Sequence, residues 1–163
     1  MNDAVMTSKQ VTLPIRKSHK QLENLRDEGL DRLALYTWNI IMNTEENNKQ
    51  IAELAQRLNM KFPSSYVDFL TEIDNGDVFE IKGTGICMYS YADLEERNLT
   101  YEVEAFEPNY FMIGQDGDLA YFIRRDNPND DSIYSNDLGA LGASEMKKEA
   151  DDILRFIALV EEK

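Results

Sequence analysis

Three features of the sequence predict an α+β fold. Apolar residues recur at helical spacing in the first half, strand-like runs take over after residue 76, and helical spacing returns near the end. The expected architecture is N-terminal helices, a central antiparallel sheet of about four to six strands, and a C-terminal helix. A chain of 163 residues is expected to form one domain. Its 42% hydrophobic and 10% aromatic content supplies a core, which argues against disorder of the whole chain.

Residues 1–18 contain Pro14, mix polar with β-branched residues and lack a helical period. They read as an extended or mobile arm, with an edge strand at Val11 to Ile15, ahead of a single domain at 19–163. From Lys20 to Met42, Leu22, Leu25, Leu33, Tyr36 and Ile40 predict helix, and Gly29 marks a bend or a break. Asn43 and Thr44, with Glu46 close behind, resemble a capping box. That would start a new helix with Ile51, Leu54, Ala55 and Leu58 on its apolar face. Pro63 suits the first turn of the next helix, whose face is Tyr66, Phe69, Leu70 and Ile73 and whose end is Asn75-Gly76.

Beyond Gly76 the period becomes two. Phe79 and Ile81 alternate with Glu80 and Lys82, and Gly83-Thr84-Gly85 predicts a hairpin turn to the run Ile86 to Tyr89. Residues 92–107 predict a short acidic helix followed by a loop. Tyr110 to Ile113 and Leu119 to Ile123 read as strands joined through Gly114 to Asp118, a strong hairpin signal. Asp126 to Asp131 reads as a turn, and Ser132 to Tyr134 as another strand. Ser144 is the expected cap of a last helix carrying Met146, Ala150, Ile153, Ile157 and Val160 on one face.

Charge is the strongest compositional signal. Seventeen basic against 31 acidic residues give a net charge of −14. Residues 1–20 hold Lys9, Arg16, Lys17 and Lys20 against Asp3 alone, a local +3. The remainder holds 13 bases and 30 acids, a local −17. Such a body repels phosphate, which excludes nucleic acid as its expected partner, and is steered toward a basic protein. No run approaches the ~20 apolar residues of a membrane span, and the N-terminus lacks the apolar stretch of a secretion signal. The single cysteine, Cys87, excludes an internal disulfide, so a cytoplasmic location is expected.

Chemistry finds little support. His19 is the only histidine and lies in the basic region before the first predicted helix, so zinc sites built from His and Cys are excluded within the chain. Cys87 sits among apolar residues and reads as a small buried hydrophobe. Asp116-Gly-Asp118 and Asp126 to Asp131 offer oxygen ligands but lack the glycine and glutamate positions of a calcium loop. Gly83-Thr-Gly85 lacks the third glycine of a dinucleotide site. Adjacent carboxylates such as Glu95-Glu96 are expected by chance among 31 acids. No catalytic residue, metal site or cofactor is therefore expected. Aromatic and acidic residues interleave from Tyr101 to Tyr110, where rings could anchor a partner and carboxylates select it. The candidate partner-binding residues are Glu102, Glu104, Glu107, Asp116, Asp118, Asp126, Asp130 and Asp131.

The order of motifs resembles one family. Ile51-Ala-Glu53, then Leu58-Asn-Met60-Lys-Phe62-Pro63-Ser-Ser-Tyr66, Phe69-Leu70 and Asn75-Gly76, is similar to the opening signature of the SUKH superfamily. Met88-Tyr89 and Asp93-Leu94-Glu95-Glu96 follow in order. Next come Phe111-Met-Ile113-Gly114-Gln-Asp116-Gly117, Tyr121-Phe122, Ile133-Tyr134 and Asp137-Leu138. The resemblance covers roughly residues 45–161. Two departures stand out: Asp77 replaces the second glycine often found after the Asn-Gly pair, and the first 44 residues have no counterpart. The resemblance implies a non-enzymatic α+β domain of the kind that includes bacterial immunity proteins. These bind and neutralise toxins, often nucleases or deaminases. It gives Pro63, Tyr66, Phe69, Asn75, Gly76, Ile113 and Gly114 structural roles. The alternatives are a regulatory or scaffold module that binds a cellular protein, and a hydrolase using clustered carboxylates.

Overall fold

The computed structural model describes residues 32–73 and 77–162, with backbone alone for residues 32–36, 38 and 39. The arm at 1–18, its strand at Val11 to Ile15, His19, Gly29 and the Asn75-Gly76 helix end lie outside the described residues.

Helix α1 spans Arg32–Arg57 without interruption, so the start expected at Asn43-Thr44 is not a boundary. The same side chains that cap helices can also serve inside one. The Thr44 hydroxyl donates to the Ile40 carbonyl at 2.9 Å, and Gln50 donates to the Glu46 carboxylate at 2.8 Å. Asn47 is buried and reaches across to the next helix, donating to Thr71 O at 3.0 Å and Ile73 O at 3.1 Å. Those carbonyls belong to a helix end that would otherwise leave them unpaired. Helix α1 stops in a Schellman turn: Asn59 adopts a left-handed φ of 48°, and Met60 N–H reaches Ala55 O at 3.1 Å.

Helix α2 spans Ser64–Glu72 and buries Tyr66, Phe69 and Leu70. Pro63 stands one residue before it and has no side-chain acceptor for the first turn. Asp131 fills that role from 66 residues away, accepting from Ser65 N–H at 3.1 Å and from the Ser65 hydroxyl at 2.7 Å.

The sheet has six strands in the order β1-β2-β3-β4-β5-β6, each antiparallel to its neighbours. They are β1 Phe79–Glu80, β2 Cys87–Met88, β3 Tyr110–Asp116, β4 Leu119–Arg124, β5 Ile133–Asp137 and β6 Lys147–Ala150. The β1–β2 and β3–β4 hairpins fall where turn residues predict them, with Gly83 at φ 78° and Gly117 at φ 57°. Between β2 and β3 lie two short helices, α3 Leu94–Thr100 and α4 Val103–Phe106. The expected loop after the acidic helix is thus partly helical. Glu102 makes the corner by taking a left-handed φ of 51°.

The C-terminal helix starts later than Ser144. Residues Lys147–Ala150 join the sheet edge as β6, and helix α5 spans Ile153–Glu161. The cap is Asp152, which accepts from Arg155 N–H at 2.7 Å. Ser144 instead donates to Asn136 at 2.7 Å. Met146 and Ala150 fit a helical period by spacing, but the two lysines beside them form a protected sheet edge.

Phe111 to Gly114 of β3 and Ala120 to Ile123 of β4 are consecutively buried, so both faces of the sheet centre are covered. On one face Phe111 packs 5.8 Å from the Phe62 ring, and Tyr121 packs 4.8 Å from Phe156 of α5. Where β2 has ended, Asn98 of α3 binds the backbone of Met112 along the edge of β3. One buried hydroxyl stands out. Tyr66 is 1% exposed, packs between Phe62 and Phe69, and its oxygen has no hydrogen-bond partner among the described residues. Burial pushes its phenol well above the usual range. Tyr66→Phe removes that unpaired group and keeps the ring, so thermal unfolding should show a gain of about 1 kcal/mol. A loss of stability would mean that the hydroxyl does bond in solution.

Candidate protein-binding surface

The eight candidate carboxylates occupy separate parts of the surface and differ in what holds them. Glu102 and Glu104 flank the corner between α3 and α4. Glu104 pairs with Arg125 at 3.0 Å, and Arg125 also donates to Leu58 O at 3.1 Å, tying the corner to the end of α1. Asp126 takes both donors of the Arg124 fork at 2.7 Å each. That bond holds its carboxyl below the usual range, and the same bond raises Arg124. The Arg124 guanidinium also lies 5.2 Å from the Tyr110 ring centre.

Asp130 accepts from Ser132 N–H at 3.0 Å and from the Tyr134 hydroxyl at 2.8 Å. Burial alone would raise its pKa, yet these two bonds outweigh it and the group sits below the usual carboxylate range. Asp131 caps α2. Glu107 accepts from Gly142 N–H at 2.8 Å. Asp130, Asp131 and Glu107 therefore each tie parts of the fold together, Asp131 and Glu107 through one carboxylate oxygen alone.

Three candidates remain: the side chains of Glu102, Asp116 and Asp118 are exposed and make no hydrogen bond or ion pair among the described residues. They do not form one cluster. Asp116 and Asp118 flank the β3–β4 turn, roughly 20 Å of strand from Tyr110, where Glu104, Arg125 and Asp126 gather. Of the interleaved aromatics, Tyr101 and Tyr110 are partly buried and Phe106 is 51% exposed. Cys87 is partly buried, facing Glu80 and Gln115 across its two neighbouring strands.

Leu99 went unnoticed in the sequence. At 72% it is the most exposed large apolar side chain among the described residues. It lines a shallow depression with Asn98, Glu102, Glu104 and Ala105. The signal was available in outline: Leu94 and Asn98 occupy the buried side of α3, which turns Leu99 outward. Among the described residues, no group of three or more His, Cys, Asp or Glu could hold a metal ion. No helix there is long and apolar enough to cross a membrane.

Fold and surface together define a small acidic α+β domain, an antiparallel meander covered by short helices, with carboxylates as its main exposed chemistry. A family model matches residues 46–159, and the chain belongs to the SMI1 / KNR4 family (SUKH-1). Comparison with curated proteins gives no match.

Proposed function

We propose that this chain is a non-enzymatic immunity protein that binds a cognate bacterial toxin in the cytoplasm and neutralises it. The observation that carries the reading is the charge of the family domain: residues 46–159 hold 23 acids against 10 bases. A nuclease or deaminase acting on nucleic acid needs a basic face to hold phosphate. An acidic protein that occupies this face excludes the substrate sterically and electrostatically, and long-range attraction speeds the encounter.

The immunity reading predicts a toxin gene beside this one, and the test uses its product. Purified chain added at equimolar amounts should abolish its activity, and association should slow about tenfold or more between low and high salt. Stable binding of an endogenous cellular protein instead, with the neighbouring toxin untouched, would favour a regulatory module and overturn the immunity reading.

A further inference from the structure

We propose that the corner between α3 and α4 is the docking surface for this partner, and that the segment it receives combines a basic with an apolar side chain. The proposal rests on the immunity reading for the identity of the partner and on geometry for the place. Leu99 is 72% exposed and Phe106 51%, although both belong to short helices packed on a well-filled sheet. Leu99 shares its depression with Glu102, Glu104 and Ala105.

The surrounding charge selects the occupant. Residues 92–107 carry six acids (Asp93, Glu95, Glu96, Glu102, Glu104, Glu107) against one base, Arg97. Two of these are engaged with distant cations, Glu95 with Arg57 at 3.1 Å and Glu104 with Arg125 at 3.0 Å. Glu104 stays 73% exposed despite its pair, so one carboxylate oxygen can accept from an incoming lysine or arginine without releasing Arg125. Glu102 has no such partner among the described residues and lies on the same depression. An apolar contact ringed by carboxylates matches a cationic segment whose aliphatic residue enters beside Leu99. A purely apolar or an acidic occupant would leave Glu102 desolvated without compensation.

A titration of the isotope-labelled chain at 0.15 M salt with a short peptide alternating leucine with lysine and arginine tests the surface directly. Amide shifts should concentrate in residues 98–106. Leu99→Ala, which leaves the net charge unchanged, should weaken binding about tenfold, and Glu102→Gln about threefold. The pair Asp77→Asn with Glu80→Gln, which removes more charge elsewhere, should change it less than twofold. Shifts spread over the whole acidic surface, unchanged binding by Leu99→Ala, or no binding at millimolar peptide would each overturn the proposal. Leu99 is exposed enough for its loss to leave folding intact, and an unchanged unfolding midpoint verifies this. The two readings fail separately. A chain that captures the peptide at the corner but leaves the toxin active loses the immunity reading only. Full inhibition that survives Leu99→Ala with Glu102→Gln removes the docking surface only.

Discussion

Asn98→Ala should lower the stability of the fold by about 3 kcal/mol, read as a fall of roughly 1–2 M in the urea midpoint. Strand β2 pairs with β3 only at Gln115 and Gly114, and Tyr89 adds one bond to Ile113 O at 2.9 Å. The polar groups of Met112 on that side have no strand to meet. Asn98 meets them instead. Its amide donates to Met112 O at 2.8 Å and its carbonyl accepts from Met112 N–H at 2.8 Å, as a neighbouring strand would. A third bond runs from the same amide to Leu94 O at 2.9 Å within α3. Met112 is fully buried, so truncation strands both its donor and its acceptor, at about 1–3 kcal/mol each.

Asn98→Asp sharpens the test. A carboxylate can accept from Met112 N–H but faces two carbonyl oxygens where the amide donated. Its pKa in the folded variant should therefore rise above the unfolded value of about 3.9. The penalty is present at neutral pH and shrinks as pH falls through that raised value, because the protonated acid donates again. An alanine variant as stable as the parent, or an aspartate variant whose deficit is independent of pH, would sink this account.

The fold was legible wherever one local pattern had one structural use. The faces of Ile51 and Leu54 and of Tyr66, Phe69 and Leu70 are buried as the spacing predicts. The turn residues between β1 and β2 and between β3 and β4 mark both hairpins. Reading failed where one residue type serves two ends. Asn43 and Thr44 look like a helix start, but in α1 Thr44 bonds back to Ile40 and nearby Asn47 ties α1 to α2. Ser144 looks like a cap, while the better acceptor, Asp152, lies eight residues further on, with β6 between them.

The surface was legible as charge and illegible as pairing. Composition identifies an acidic body, yet it cannot say that Asp131 caps a helix 66 residues earlier or that Glu104 meets Arg125. Those partners are set by the meander, which brings the β4–β5 turn to the start of α2. Leu99 was missed for the complementary reason. A leucine in a helix reads as core until its neighbour Asn98 is seen to occupy the inward position.

Gly114→Ala is expected to cost about 3 kcal/mol, because β2 and β3 approach each other closely at this residue. Strand β3 bulges between Met112 and Gly114, and this shift brings Gly114 opposite both Tyr121 and Met88. A methyl group at Gly114 would lie 2.6 Å from Cys87 O, 2.8 Å from Met88 Sδ and 3.2 Å from Met88 Cα. Two of these atoms are backbone, and the third belongs to a fully buried side chain, so none can step aside cheaply. The β1–β2 hairpin must move off β3 to make room. Hydrogen exchange should therefore accelerate first in residues 79–88, ahead of β4 and β5. Gly85→Ala is the matched control. Its methyl would meet Asp116 Oδ1 at 2.6 Å, but that atom ends an exposed side chain free to rotate, so the cost should stay below about 1 kcal/mol. Combining Gly114→Ala with Met88→Ala should recover only part of the loss, since the Cys87 carbonyl remains in place. If the glycine served turn flexibility and not close approach, the double variant would recover nothing and exchange would accelerate at the 117–118 turn instead.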